Sequence, residues 1–207
     1  CVMDVDGTLI LEEVIDLLGR EAGREEEISL ITSRAMRGEL DFESSLRKRV
    51  SLLEGLPVSV FDKVFNSIHL TPNAQEFISI LQKNGILVGL LSGGFTPIVA
   101  RLAKSLGIAY FSANQLEVKE GLLTGKLVGQ IINPEVKKET LEQWREELKL
   151  SKDRTVAIGD GANDLLMLKS AGLGIAFCAK EVLKQEIPNH VDKRDFLEVL
   201  SLIDCLE

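Results

Sequence analysis

Asp4-Val5-Asp6-Gly7-Thr8 places two carboxylates two positions apart, directly after a short apolar run. At a strand end, one of them can attack phosphorus while the other protonates a leaving alkoxide. Covalent catalysis by a carboxylate is established chemistry for phosphoryl transfer. Gly7 lets the chain leave the strand sharply, but an acidic turn capping a helix would carry the same residues, since Asp-Gly is common in turns. A second cluster, Gly159-Asp160-Gly161-Ala162-Asn163-Asp164, also follows an apolar run and opens a helical pattern. Carboxylates are hard oxygen ligands, and magnesium is usually held by one or two of them with waters and substrate phosphate. A helix N-cap would explain this loop equally well, until it is read together with the first cluster. Ser92-Gly93-Gly94 offers a hydroxyl and unhindered backbone amides next to a helix start, a setting that binds phosphate. Lys137 or Lys138 can supply a fixed cation, although lysines are ordinarily solvated.

The elements around these residues alternate. Cys1–Asp4 reads as the end of a buried strand, and Ile86–Leu91, closed by Ser92-Gly93-Gly94, as a parallel strand buried on both faces. Thr155–Ile158 and Gly174–Phe177 are further short apolar strands. Helices are expected over Ala74–Lys83, Ile98–Leu106, Glu135–Leu148 and Leu165–Ala171. Leu116–Val118 and Leu127–Ile132 flank the glycine-containing stretch Glu120–Gly125 and suggest a hairpin. Strands alternating with helices predict an α/β fold with a parallel sheet. Asp4, Ser92 and Asp160 then fall at the carboxyl ends of strands, where open sheets of this kind bind ligands. Residues 11 to about 70 depart from the alternation. Val14, Ile15, Leu17 and Leu18 form one helical stripe, Leu46, Val50 and Leu53 another, with breaks at Gly38 and Pro57. This block reads as a helical cap inserted after the first strand, giving a core of residues 1–10 and 71–207 and a cap of residues 11–70.

The 207 residues suit one domain with a modest insert. With 45% apolar residues a full core can form, and no apolar run approaches the roughly 18 residues of a spanning helix, so no membrane partner is expected. The net charge of −8 argues against nucleic acid as a partner. Three cysteines, Cys1, Cys178 and Cys205, have no metal-like spacing and make a reducing cytoplasm the expected compartment. Only Val2 and Met3 separate Cys1 from the first motif, so further residues are expected upstream.

In this order on an α/β pattern, the motifs resemble the haloacid dehalogenase (HAD) superfamily of phosphatases, with its Rossmann-like core. Phe42-Glu43-Ser44-Ser45-Leu46-Arg47-Lys48-Arg49-Val50, Leu91-Ser92-Gly93-Gly94-Phe95, Ala176-Phe177-Cys178-Ala179-Lys180 and Lys193-Arg194-Asp195 narrow the resemblance to the phosphoserine branch of that superfamily. The resemblance implies Asp4 as nucleophile and Asp6 as general acid and base. It implies a magnesium ion held by Asp4, the main-chain carbonyl of Asp6 and Asp160, with Asp164 steadying the ligands from behind. Ser92, Gly93, Lys137 and Asn163 would hold phosphate, and Lys137, not Lys138, has the family spacing. Glu13 would meet the substrate ammonium, Arg49 its carboxylate, and Phe42 would pack over the site. A free phosphorylated amino acid needs such an anion and cation, and the arginine fork suits a carboxylate. Gly7 stands where many close relatives have serine.

The implied activity is hydrolysis of O-phospho-L-serine through an aspartyl-phosphate, the last step of serine biosynthesis, by a monomer or homodimer. The alternatives are a phosphatase or phosphotransferase for another small phosphate ester, or a non-catalytic phosphate-binding protein. The last should have lost a nucleophile, acid or metal residue, whereas Asp4, Asp6, Lys137, Asp160 and Asp164 are all present.

Overall fold

The computed structural model describes residues 1–36 and 39–203. Within them β1 (Val2–Met3), β2 (Gly89–Phe95), β3 (Tyr110–Lys119), β4 (Leu122–Val128), β5 (Val156–Gly159), β6 (Leu173–Phe177) and β7 (His190–Val191) form one sheet. Its order is β4-β3-β2-β1-β5-β6-β7, and only the β3–β4 pair is antiparallel. Successive strand residues point to opposite faces, and two apolar layers result. Met3, Leu90, Ile158, Ile175 and Phe177 pack into one. Val2, Leu91, Ala157 and Ala176 pack into the other, with Leu141, Met167 and Leu168 from the helices that cover it.

The helices are α1 (Val14–Glu21), α2 (Glu25–Met36), α3 (Phe42–Ser51), α4 (Val60–Asn66), α5 (Ala74–Lys83), α6 (Thr96–Ser105), α7 (Pro134–Glu147), α8 (Leu165–Ser170), α9 (Glu181–Glu186) and α10 (Leu197–Leu200). None among the described residues is long and apolar enough to cross a membrane. Helices α1 to α4 lie between the first two strands and bury Val14, Ile15, Leu18, Leu46 and Val50, with Leu53 buried in the turn after α3 and Leu17 half-buried. Asp41 caps α3, its side chain accepting from the Ser44 N–H at 2.8 Å. Where this block leaves and rejoins the sheet, Ile10 and Leu70 bridge antiparallel, and the Thr71 hydroxyl donates to the Thr8 carbonyl at 2.6 Å. Loop residue Pro57 bridges Leu122 at the β4 edge.

The structure departs from the sequence expectation in several elements, among them β3, which begins at Tyr110 rather than Leu116. Strand β2 begins at Gly89, opposite Val2, and continues through Ser92-Gly93-Gly94 to Phe95. The glycines let the chain stay extended while passing close to Asp6; a Cβ on Gly94 would lie 2.5 Å from Asp6 Oδ2. The hairpin turn is only Glu120-Gly121, both with positive φ (50° and 78°), so β4 starts at Leu122 and Ile131 and Ile132 lie in the buried connection to α7. Finally β7, α9 and α10 had no sequence expectation; each has six or fewer residues, too short for a periodic pattern to stand out. The expected break at Gly38, and Cys205, lie outside the described residues.

Candidate active site

Asp4 follows β1 directly, and its N–H donates to the Ile158 carbonyl of β5 at 2.9 Å. This ties the first motif to β5. The chain then turns tightly through Val5–Leu9, with Gly7 at φ 70°. A Cβ on Gly7 would lie 2.8 Å from Asp160 Oδ2, so glycine fits here where a side chain would have to push Asp160 aside.

Asp4 is buried, and its Oδ1 accepts from the Lys137 ammonium at 2.7 Å. The same ammonium donates to Asp164 Oδ1 at 2.7 Å. Lys137 is fully enclosed, whereas Lys138 is exposed and faces Glu142 at 3.9 Å. Asn133 brings Lys137 inward by capping α7, accepting from the Val136 N–H at 2.8 Å. Burial alone would depress the lysine, but Asp164 and Asp4 together hold it above the ordinary lysine range. Asp164 Oδ2 accepts from the Gly161 N–H at 3.1 Å.

Asp6 is held at both oxygens. Oδ1 accepts from the Val14 N–H at 2.8 Å and Oδ2 from the Ser92 hydroxyl at 3.1 Å. Burial pushes its carboxyl up, and those two hydrogen bonds oppose the shift. Thr8 donates to Asp160 Oδ1 at 3.0 Å. Burial first, then Asp164, pushes Asp160 up to about 6.

Asp4, Asp160 and Asp164 can each bring an oxygen within 4.8 Å of the others. One lysine cannot neutralise this set. Burial and the neighbouring Asp164 hold Asp4 well above the usual carboxylate range in spite of Lys137, and a protonated carboxyl is no nucleophile. A hard divalent cation among these oxygens would reverse that push, so the donor set fits one.

One cavity of about 430 Å³ gathers Asp4, Asp6, Glu13, Phe42, Arg49, Gly93, Asp160 and Asn163. Ser92, Lys137 and Asp164 lie behind its floor: Ser92 is bonded to Asp6, Lys137 to Asp4, and Asp164 to Lys137. Glu13 is open to solvent, yet the cavity walls surround it. That enclosure, then Asp6 and Asp160, pushes its carboxyl up to about 8, with Arg49 opposing. Arg49 stands on α3 one helical turn beyond Ser45, and its Nε reaches the Ser45 carbonyl at 3.4 Å. Phe42 lies over Gly93; a Cβ there would lie 3.3 Å from the ring. The Ser45 hydroxyl is buried and has no hydrogen-bond partner among the described residues.

Sequence reasoning missed several supporting groups. Asn114 is buried in β3, with Nδ2 donating to the Gly93 carbonyl and Oδ1 accepting from the Ile132 N–H, both at 2.8 Å. No signal in the sequence marked it, because Asn114 precedes the expected strand Leu116–Val118 and only the longer β3 brings it into the sheet. Arg194 donates to the Gly7 carbonyl at 2.8 Å. Lys180 also lines the cavity.

A family model described as haloacid dehalogenase-like hydrolase matches residues 1–169. The chain is 52% identical over 205 residues to a phosphoserine phosphatase of Lactococcus lactis subsp. lactis, covering 99% of this chain and 95% of that one. Two solved structures, a substrate-bound phosphoserine phosphatase complex and a phospho-aspartyl intermediate analogue of phosphoserine phosphatase, each align with a TM-score of 0.92. Each is 45% identical to this chain and covers 97% of it and 96% of its own.

Proposed function

The chain belongs to the haloacid dehalogenase-like hydrolases, and from that premise we propose that it hydrolyses free O-phospho-L-serine to serine and phosphate. The observation that carries the choice of substrate is the presence of Glu13 and Arg49 in the cavity that also holds Asp4 and Asp6. An amino acid esterified with phosphate presents an ammonium, a carboxylate and a phosphoryl group, and those residues offer a partner to each. Relatives and solved structures of phosphoserine phosphatase, similar over nearly the whole chain, support the same reading.

In this reading Asp4 attacks phosphorus in line. The P–O bond to serine breaks as Asp6 gives its proton to the departing oxygen, and an aspartyl-phosphate forms on Asp4. Asp6, now a carboxylate, takes a proton from the water that attacks the same phosphorus, and Asp4 is released with inorganic phosphate. The first step needs Asp6 protonated, and its raised value in the buried turn suits that task. Lys137, bonded to Asp4 behind the cavity floor, places a fixed positive charge beneath the phosphoryl group, and Gly93 and Asn163 bind its oxygens. Magnesium is the metal proposed, held by Asp4, the Asp6 carbonyl and Asp160, with Asp164 steadying Lys137 and the Gly161 turn. When bound it supplies charge neutralisation at the phosphoryl oxygens. Residues 11–70 act as the cap that brings Glu13, Phe42 and Arg49 to the substrate, over a core of residues 1–10 and 71–207. The cytoplasm is the proposed compartment.

The test is phosphate release from phosphoserine, phosphothreonine, a nucleoside monophosphate and a sugar phosphate, with magnesium or with chelator, beside Asp4→Asn. Phosphoserine should be preferred, and activity should vanish in the variant and on chelation. A flat profile that still needs Asp4 would keep the chemistry and remove the roles given to Glu13 and Arg49.

A further inference from the structure

A continuous run of hydrogen bonds reaches Asp6 from a side chain outside the cavity. The Ile132 N–H donates to Asn114 Oδ1, and Asn114 Nδ2 donates to the Gly93 carbonyl, each at 2.8 Å. That carbonyl belongs to the Gly93–Gly94 peptide, whose N–H donates to Ser92 Oγ at 2.8 Å. The Ser92 hydroxyl donates in turn to Asp6 Oδ2 at 3.1 Å. Every link runs donor to acceptor in one direction, so each bond polarises the next. The backbone at Asn114 is also held from the start of α6, where the Thr96 hydroxyl donates to the Ala113 and Asn114 carbonyls at 3.1 Å.

We propose that Asn114 is a positioning residue for proton delivery. It orients the Gly93–Gly94 peptide, through that peptide the Ser92 hydroxyl, and through Ser92 the carboxyl of Asp6. Its other end holds the approach to α7, since Ile132 precedes the Asn133 cap by one residue and the Lys137 N–H bonds the Asn133 carbonyl at 2.9 Å. One carboxamide therefore holds the proton donor's turn in register with the helix that carries Lys137. The inference deepens the proposed function and rests on Asp6 acting as the leaving-group acid.

That dependence gives the test its readout. Serine leaves as an alkoxide and needs a proton, whereas p-nitrophenol leaves as a stable phenolate and does not. Asn114→Leu keeps the branched shape and deletes both hydrogen bonds. It should lower kcat for phosphoserine about 10-fold with a smaller change in KM, and lower kcat for p-nitrophenyl phosphate distinctly less. Should Asn114→Leu fail to fold by circular dichroism, Asn114→Ser, too short to span the two partners, carries the same expectation. Equal losses on both substrates would mean a general structural role and overturn the inference, as would no loss at all. Asp6→Asn, measured beside it, separates the two levels. If Asp6→Asn shows no leaving-group dependence, the acid role of Asp6 falls and the inference falls with it. If Asp6→Asn shows the dependence and Asn114→Leu does not, the inference alone is overturned.

Discussion

Lys137 Nζ lies 2.7 Å from Asp4 Oδ1 across 133 positions of sequence, with both groups removed from solvent. Asp164 shares the ammonium at the same distance. Removing one partner of a buried ion pair leaves an uncompensated charge, which typically costs about 3–5 kcal/mol. Lys137→Met is therefore expected to lower stability by an amount of that order, seen in chemical denaturation. On the proposed mechanism it should also lower kcat by about 100-fold or more, because the preorganised positive charge behind Asp4 is lost. Near-normal turnover by a folded Lys137→Met protein would remove the lysine from the mechanism.

Arg49 is the cavity arginine assigned to the substrate carboxylate. A lysine keeps the charge but loses the planar fork. Arg49→Lys should raise KM for phosphoserine about 10-fold while kcat changes little, the pattern of lost uniform binding. Steady-state kinetics on phosphoserine and phosphoethanolamine, which lacks the carboxylate, check this. A parallel rise for both substrates would point away from carboxylate recognition.

Glu13 titrates near 8 in the folded protein, above its ordinary value of 4.5, through enclosure and then the Asp6 and Asp160 charges. The folded state thus holds the proton more tightly than the unfolded chain. The stabilising contribution is complete below the ordinary value and is lost as pH rises through about 8. Glu13→Gln has no such proton to lose. With chelator present, its melting temperature should gain on that of the wild type steadily between about pH 5 and pH 8. A constant difference across that window would show that the carboxyl titrates normally.

Ser45 buries a hydroxyl without a partner among the described residues. Leaving such a group unpaired costs about 1–3 kcal/mol. Ser45→Ala should stabilise the free protein by about 1 kcal/mol, which in a chain of this size moves the melting temperature up by about 2–4 °C. A lower melting temperature would mean that the hydroxyl has a partner in solution.

The motifs were legible because phosphoryl chemistry demands few residue types at strand ends. Asp4, Asp6 and Asp160 stood out beside glycines, and the buried strands read as apolar runs. Lys137 could be separated from Lys138 only through family spacing; its burial comes from the capped first turn of α7, a tertiary fact. Asn114 and Arg194 were not legible as parts of the site. Each acts on a main-chain carbonyl, Gly93 or Gly7, and a contact to backbone leaves no complementary residue type to look for. The extension of β2 through its glycines was hidden for a related reason. Glycine reads as a turn, yet here it serves close approach to Asp6.

The central place of β1 in the sheet has a consequence for the birth of the protein. Its partners arrive late: Ser92 meets Asp6 across 86 positions, Thr8 meets Asp160 across 152, and Arg194 closes on Gly7 across 187. Contacts so distant in sequence form slowly, because a long loop must close before they stabilise anything. During synthesis the first motif must wait, unpaired, until β2, α7, β5 and the segment after β7 have emerged. A nascent chain stopped before Lys137 carries Asp4 and Asp6, the proposed nucleophile and acid, and no complete site, so on that reading catalytic competence marks the end of folding rather than any intermediate stage.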